Sequence, residues 1–185
     1  MPAPDAVRSL YRPPWRVDLT IRPSAPRVLS GKALADLVAQ ALDVTGAPAP
    51  ASIGVILADD AELAGLNATH MGADGPTDVL SFPLLPSEAY PVHPGRSTGG
   101  PRAGAFPLPP GSRPHLGDIV VSVERAIEQA TAGHGGQASD QRWAPADELR
   151  LLLVHGVLHV TGWDHADEIE GAAMRALEQE LLATT

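Results

Sequence analysis

A chain of 185 residues, 44% hydrophobic and 19% charged, can build one domain with a proper core but not two comfortable ones. It has no cysteine, which excludes disulfides and thiolate metal sites, and no apolar run near the ~20 residues of a membrane span. The net charge of −9 is uneven: residues 1–35 carry +4 and the remainder −13, so a polyanionic partner has to meet a local basic surface.

The N-terminus, "MPAPDAVRSLYRPPW", lacks the apolar stretch of a secretory signal, and residues 1–15 read as a flexible extension. These absences make a cytoplasmic location the expectation. Arg16–Ile21 alternates polar and apolar residues, as a strand does. Ser30 offers an N-cap to a helix whose Leu34, Leu37, Val38 and Leu42 share a face, and Gly46 with the following prolines stops it. Ser52–Ala58 is a short apolar run of buried-strand type. Asp59 with Glu62 three residues later forms a capping-box pattern for a second helix. Thr77–Pro83 is a third strand, closed by its proline.

Between Leu84 and Pro114 proline and glycine dominate and no periodicity survives, so this stretch reads as a long mobile loop without assigned chemistry. His93 within it carries no role in this reading. Order resumes with a strand at Leu116–Ser122, a helix at Val123–Ala132, and a helix from Pro145 that ends at Gly162. A last helix, Asp167–Ala183, places Ile169, Ala173, Ala176, Leu177 and Leu181 on one face. The succession predicts a single α+β domain over residues 16–185, a small mixed β-sheet packed with about five helices.

"HGVLHVTGWDH" (His155–His165) holds three of the chain's seven histidines in apolar surroundings. His155 and His159, four apart on a helix, bring their Cβ atoms to ~5–6 Å. Gly162 lets the chain leave the helical path, so that His165 swings back as a third nitrogen. Three rings in an apolar pocket repel when charged and leave acceptor nitrogens unpaired when neutral, and a cation removes both costs. Zinc suits imidazole, and three protein ligands leave a fourth position open for water. His70, His93, His115 and His134 lack such company and read as ordinary histidines. The spacing H-x3-H-x2-G-x2-H is also that of the metzincin peptidases, which place a general-base glutamate directly after the first histidine. Here that position is Gly156, which cannot move a proton, so peptide hydrolysis is disfavoured.

The motif resembles the H-G-x-L-H-x-x-G-[YW]-D-H signature of the YbeY family of bacterial endoribonucleases. "PTDVLSFP" (Pro76–Pro83), "LGDI" (Leu116–Ile119), "LN" (Leu66–Asn67) and "MRALEQELL" (Met174–Leu182) are similar to the family in the same order. The resemblance implies an α+β fold with a mixed sheet and a zinc-dependent, single-strand-specific endoribonuclease. It further implies trimming of 16S rRNA 3′ ends, ribosome maturation and quality control, with His155, His159 and His165 as the ligands of one Zn2+ ion. Single-stranded rRNA and a ribosomal subunit or assembly factors are the implied partners, and no membrane is involved. Two features depart from the family. Its Tyr-Arg pair after "LN" is replaced by His70 and Met71, and the loop after "SFP" is longer. Arg12, Arg16 and Arg22 are the candidates to replace the missing arginine.

Asp118 is the candidate catalytic residue, for orienting a ligand or the water, against a reading as a strand carboxylate making backbone bonds. Thr77 and Ser81 are candidate phosphate contacts and equally natural turn and strand residues. Asp164 reads as a cap for the last helix, and Trp163 as cover over the site rather than a base-stacking platform. A second functional class remains open: a zinc-bearing ribosome-assembly factor with little turnover of its own. A metallopeptidase lacking the glutamate is the third.

Overall fold

The computed structural model describes residues 7–94, 112–132 and 143–184. Strands β1 (Arg8–Arg12), β2 (Trp15–Ile21), β3 (Ser52–Ala58), β4 (Val79–Pro83) and β5 (His115–Ser122) form one mixed sheet in the order β1-β2-β3-β5-β4. β1 and β2 make an antiparallel hairpin, β2, β3 and β5 run parallel, and β4 returns antiparallel along β5. Five helices join them: α1 (Gly31–Val44), α2 (Asp60–Leu66), α3 (Val123–Ala132), α4 (Pro145–Val160) and α5 (Glu168–Ala183). The expected α+β architecture holds. One strand is added, since β1 lies inside the stretch read as an extension; of that stretch, residues 1–6 fall outside the described residues.

The helices begin where their capping chemistry dictates. Ser30 accepts the Ala33 amide at the start of α1, and Asp59 accepts the Glu62 amide at the start of α2. At α4 the cap residue is Ala144, which has no side-chain acceptor; Asp147 instead reaches back to the Ala144 amide at 3.0 Å, behind a proline in the first turn. α5 starts at Asp167, whose Oδ1 accepts the amides of Ile169 and Glu170. The cap is therefore Asp167 and not the expected Asp164.

Strand alternation sorts side chains between two cores. Val17, Leu19, Ile53, Val55, Leu57, Ile119 and Val121 join the large core with α1 and α4. On the other face Ile56, Leu80, Phe82 and Val120 close a smaller cluster with Leu63 of α2. α4 is buried almost all round, with Leu149, Leu153, Val154, Val157, Leu158 and Val160 inaccessible. Each fully buried aliphatic side chain of this kind contributes about 1.5–3 kcal/mol. α4 is thus held from several directions, which makes it a rigid base for whatever its remaining face presents.

α5 shows a correction. Ile169 is 66% exposed, and the buried stripe runs through Glu170, Gly171, Met174, Glu178 and Leu181. Two glutamates point inward because each has a partner there. Of the loop expected at Leu84–Pro114, residues 84–94 and 112–114 are described; they include a single 3-10 turn at Ser87–Ala89 and a buried Tyr90. His134 lies outside the described residues.

Candidate metal centre

α4 stops in a hydrogen-bonded reversal. The Gly162 amide bonds to the His159 carbonyl and the Trp163 amide to the Leu158 carbonyl, the pairing of a Schellman cap. Gly162 takes φ +88°, a conformation an L side chain resists. The chain then doubles back and delivers His165 beside the two helical histidines, as the spacing predicts. Ring centroids are 4.5 Å apart for His155–His159, 5.1 Å for His159–His165 and 5.6 Å for His155–His165. One nitrogen of each ring lies within 4.8 Å of the others.

Hydrogen bonds decide which nitrogens face inward. His155 Nδ1 lies 2.7 Å from Glu178 Oε1, and His159 Nδ1 lies 3.0 Å from the Trp163 carbonyl oxygen. A carbonyl or carboxylate oxygen only accepts, so both Nδ1 atoms carry the proton and both Nε2 atoms present lone pairs. Those two lone pairs face each other across 3.0 Å. Between two neutral rings that arrangement is repulsive, and a shared cation relieves it. Two nitrogens on a tetrahedral ion at ~2.0–2.1 Å would stand ~3.3 Å apart, close to the separation here. Burial, followed by the neighbouring His155 and His165, holds His159 below the ordinary histidine pKa and keeps it in the ligating form. The residues present therefore fit a divalent cation, with Glu178 and the Trp163 carbonyl as orienting partners.

The triad opens into a cavity of about 860 Å³ whose walls include Asn67, Met71, Thr77, Ser81, Trp163 and Glu170. Met71, at the end of a π-helical turn (Asn67–Met71), stands on this wall where the motif comparison places the missing basic residue. The lining contains four acids, Asp78, Glu88, Asp164 and Glu170, and among the described residues no lysine or arginine. The proposed substitutes are occupied elsewhere: Arg12 pairs with Asp36, Arg16 with Asp18 at 3.0 Å, and Arg22 with Glu62 at 2.6 Å. None of the three lines the cavity.

The other expected site residues divide. Ser81 donates to the Gly156 carbonyl at 3.2 Å and Thr77 to Asp78 at 3.3 Å, and both line the cavity. Asp118 is not brought to the histidines. It shares the sheet face of Val120, opposite α4, lies tightly over Gly54 and accepts from His115 Nε2 at 3.0 Å. Asp164 accepts the His165 amide at 2.7 Å, so it shapes the turn instead of capping α5. Gly156 has a packing reason to be glycine: a Cβ there would stand 2.6 Å from Ile119 Cγ2, because this side of α4 rests on the sheet. A glutamate at 156 would meet β5, not the triad.

Sequence reasoning missed Glu178, Glu170 and His93. The first two carry a readable signal, since Glu170, Met174, Glu178 and Leu181 recur at helical spacing and put two acids on an apolar stripe. His93 carries none, because its placement depends on a segment without periodicity.

Comparison with known proteins agrees with the motif. The family model described as "Endoribonuclease YbeY" matches residues 26–185. A protein named "Endoribonuclease YbeY" from Salinispora tropica is 45% identical over 146 residues, covering 78% of this chain and 80% of its own. One from a Roseiflexus species is 34% identical over 171 residues, 90% of each chain, and one from Thermobifida fusca 38% over 151, covering 81% and 82%.

Proposed function

The chain belongs to the YbeY endoribonuclease family, and on that premise we propose that it is a zinc-dependent, single-strand-specific endoribonuclease acting on rRNA. The observation that carries the metal dependence is the pair of His155 and His159 Nε2 atoms 3.0 Å apart, with an oxygen acceptor behind each Nδ1.

His155 and His159 through Nε2, with a ring nitrogen of His165, would hold the ion. When bound, it supplies a Lewis-acid charge that polarises a phosphodiester oxygen and lowers the pKa of water. The protein's own residues do the rest. Glu178 and the Trp163 carbonyl keep the two rings in the tautomer that turns Nε2 inward. The Thr77 and Ser81 hydroxyls stand on the wall with their protons given to Asp78 and the Gly156 carbonyl, which leaves their oxygens to accept from a ribose hydroxyl. Among the described residues the lining brings four acids and no lysine or arginine, so none of these side chains offers the substrate's charge a fixed positive partner. A cation held by His155, His159 and His165 would then supply the main attraction for the scissile phosphate. The indole of Trp163 lines the same cavity, with one face covered by the His93 ring.

The substrate we propose is the 3′ region of 16S rRNA, with a ribosomal subunit or its assembly factors as partners and the cytoplasm as location. No helix among the described residues is long and apolar enough to cross a membrane. The acidic lining, without an arginine among the described residues, favours a second reading, a zinc-bearing assembly factor with little turnover. Purified protein incubated with single-stranded and duplex RNA, beside His155→Ala, separates them. Cleavage of the single strand that vanishes in the variant is expected. Cleavage persisting at the same rate would sink the zinc-nuclease reading, and no cleavage by either protein would favour the assembly factor.

A further inference from the structure

The segment that leaves β4 reaches back to the turn that carries the third histidine. His93, with 7% of its side chain exposed, lies flat on Trp163: centroids are 3.8 Å apart and the planes 8° from parallel. Its Nε2 stands 3.3 Å from the Gly162 carbonyl oxygen and 3.6 Å from Glu170 Oε1. Ser87 packs against the same turn, its Cα 3.3 Å from where a Cβ on Gly162 would be.

Each neighbour of His93 acts on a different histidine of the triad. The Trp163 carbonyl accepts from His159 Nδ1 and sets that ring's orientation. Glu170 Oε1 accepts the Asp164 amide at 2.8 Å, one residue before His165. Beyond Trp163 the turn has few backbone bonds of its own: the next among the described residues joins the Gly171 amide to the Asp167 carbonyl. The backbone that presents His165 is therefore held largely by side chains, and His93 touches the carboxylate and the indole that hold it.

We propose, resting on the metal-site reading above, that His93 is a positioning residue for the metal centre. Its stack on Trp163 and its contact with Glu170 preorganise residues 162–165. His159 and His165 then meet the cation without first ordering the turn. Side-chain ordering costs of this kind subtract directly from binding free energy, which is why support behind the ligands shows in metal affinity.

The test measures Zn2+ affinity by competition with a chromogenic chelator, for the parent, His93→Ala, His93→Phe and His155→Ala. His93→Ala is expected to bind zinc about tenfold more weakly, the lower end for residues behind metal ligands. His93→Phe keeps the stacked ring without its nitrogens and is expected to recover part of that loss. A purely structural role would lower the urea midpoint of the metal-free protein and leave zinc affinity alone. Parental affinity in His93→Ala overturns the proposal. Should that variant not fold, His93→Leu, which lacks both the stacked ring and its nitrogens, carries the test, and parental affinity there overturns it equally. A parent that binds no more zinc than His155→Ala removes the metal site itself, and the positioning role with it.

Discussion

Replacing Gly156 by alanine sets two opposing effects of known size against each other. An added Cβ stands 2.6 Å from Ile119 Cγ2 and 3.3 Å from Ser81 Oγ. Carbon–carbon contacts relax at about 3.5–4.0 Å, so helix or strand has to yield by about 1 Å. The contacting methyl sits directly on the Cβ of a β-branched residue and cannot swing clear without a change of χ1. Overpacking of this kind costs about 1–3 kcal/mol. Against it stands the helix propensity of alanine over glycine, about 1 kcal/mol. The packing penalty equals or exceeds that gain, and Gly156→Ala is expected to lose up to about 2 kcal/mol, seen as a lower urea midpoint at unchanged slope. In an Ile119→Ala background the new methyl enters vacated space and the penalty should disappear, giving a coupling of at least about 1 kcal/mol in a double-mutant cycle. A single variant more stable than the parent, or strict additivity, would refute the close approach of α4 to β5.

Three further outcomes are expected. Glu178→Gln loses the ionised acceptor behind His155 Nδ1 and should weaken zinc binding about 10- to 100-fold while thermal unfolding of the metal-free protein changes little; chelator competition reads this. Asp167→Ala removes the acceptor for two α5 amides and should cost about 1 kcal/mol in urea unfolding. Tyr90 is buried and its hydroxyl pKa is pushed up from 10.0 to about 12 by that burial. Below pH 10 the ring is neutral in folded and unfolded chains alike, so its contribution is fully present there. It is lost as pH rises from 10 through 12, where the unfolded phenol ionises first. A shift of that size corresponds to about 2–3 kcal/mol. Urea midpoints between pH 9 and 12 should fall less steeply for Tyr90→Phe than for the parent, and parallel curves would contradict the burial.

What could be read from the chain alone was whatever its near neighbours in sequence decide. Ser30 and Asp59 cap their helices because a cap needs only an oxygen within three residues of the amide it serves. Ser52–Ala58 is a strand over its whole expected length because an apolar β-branched run has few alternatives. The histidine triad was legible for the same reason, since helical pitch places His155 beside His159 and Gly162 turns the chain within three residues more. β1 was not legible, because "RSLYR" pairs with β2 across a turn and is half exposed, leaving no apolar signature. Asp118 looked like chemistry from its motif, yet strand parity sends it to the face opposite α4, and parity has meaning only once the sheet is assembled. Glu178, Glu170 and His93 took their places through contacts spanning 23 residues to His155, 6 to Asp164 and 69 to Gly162. The ligands follow from local pitch and one glycine. Of the groups that aim them, the Trp163 carbonyl is local, whereas Glu178 and His93 come from distant segments that only tertiary packing brings within reach.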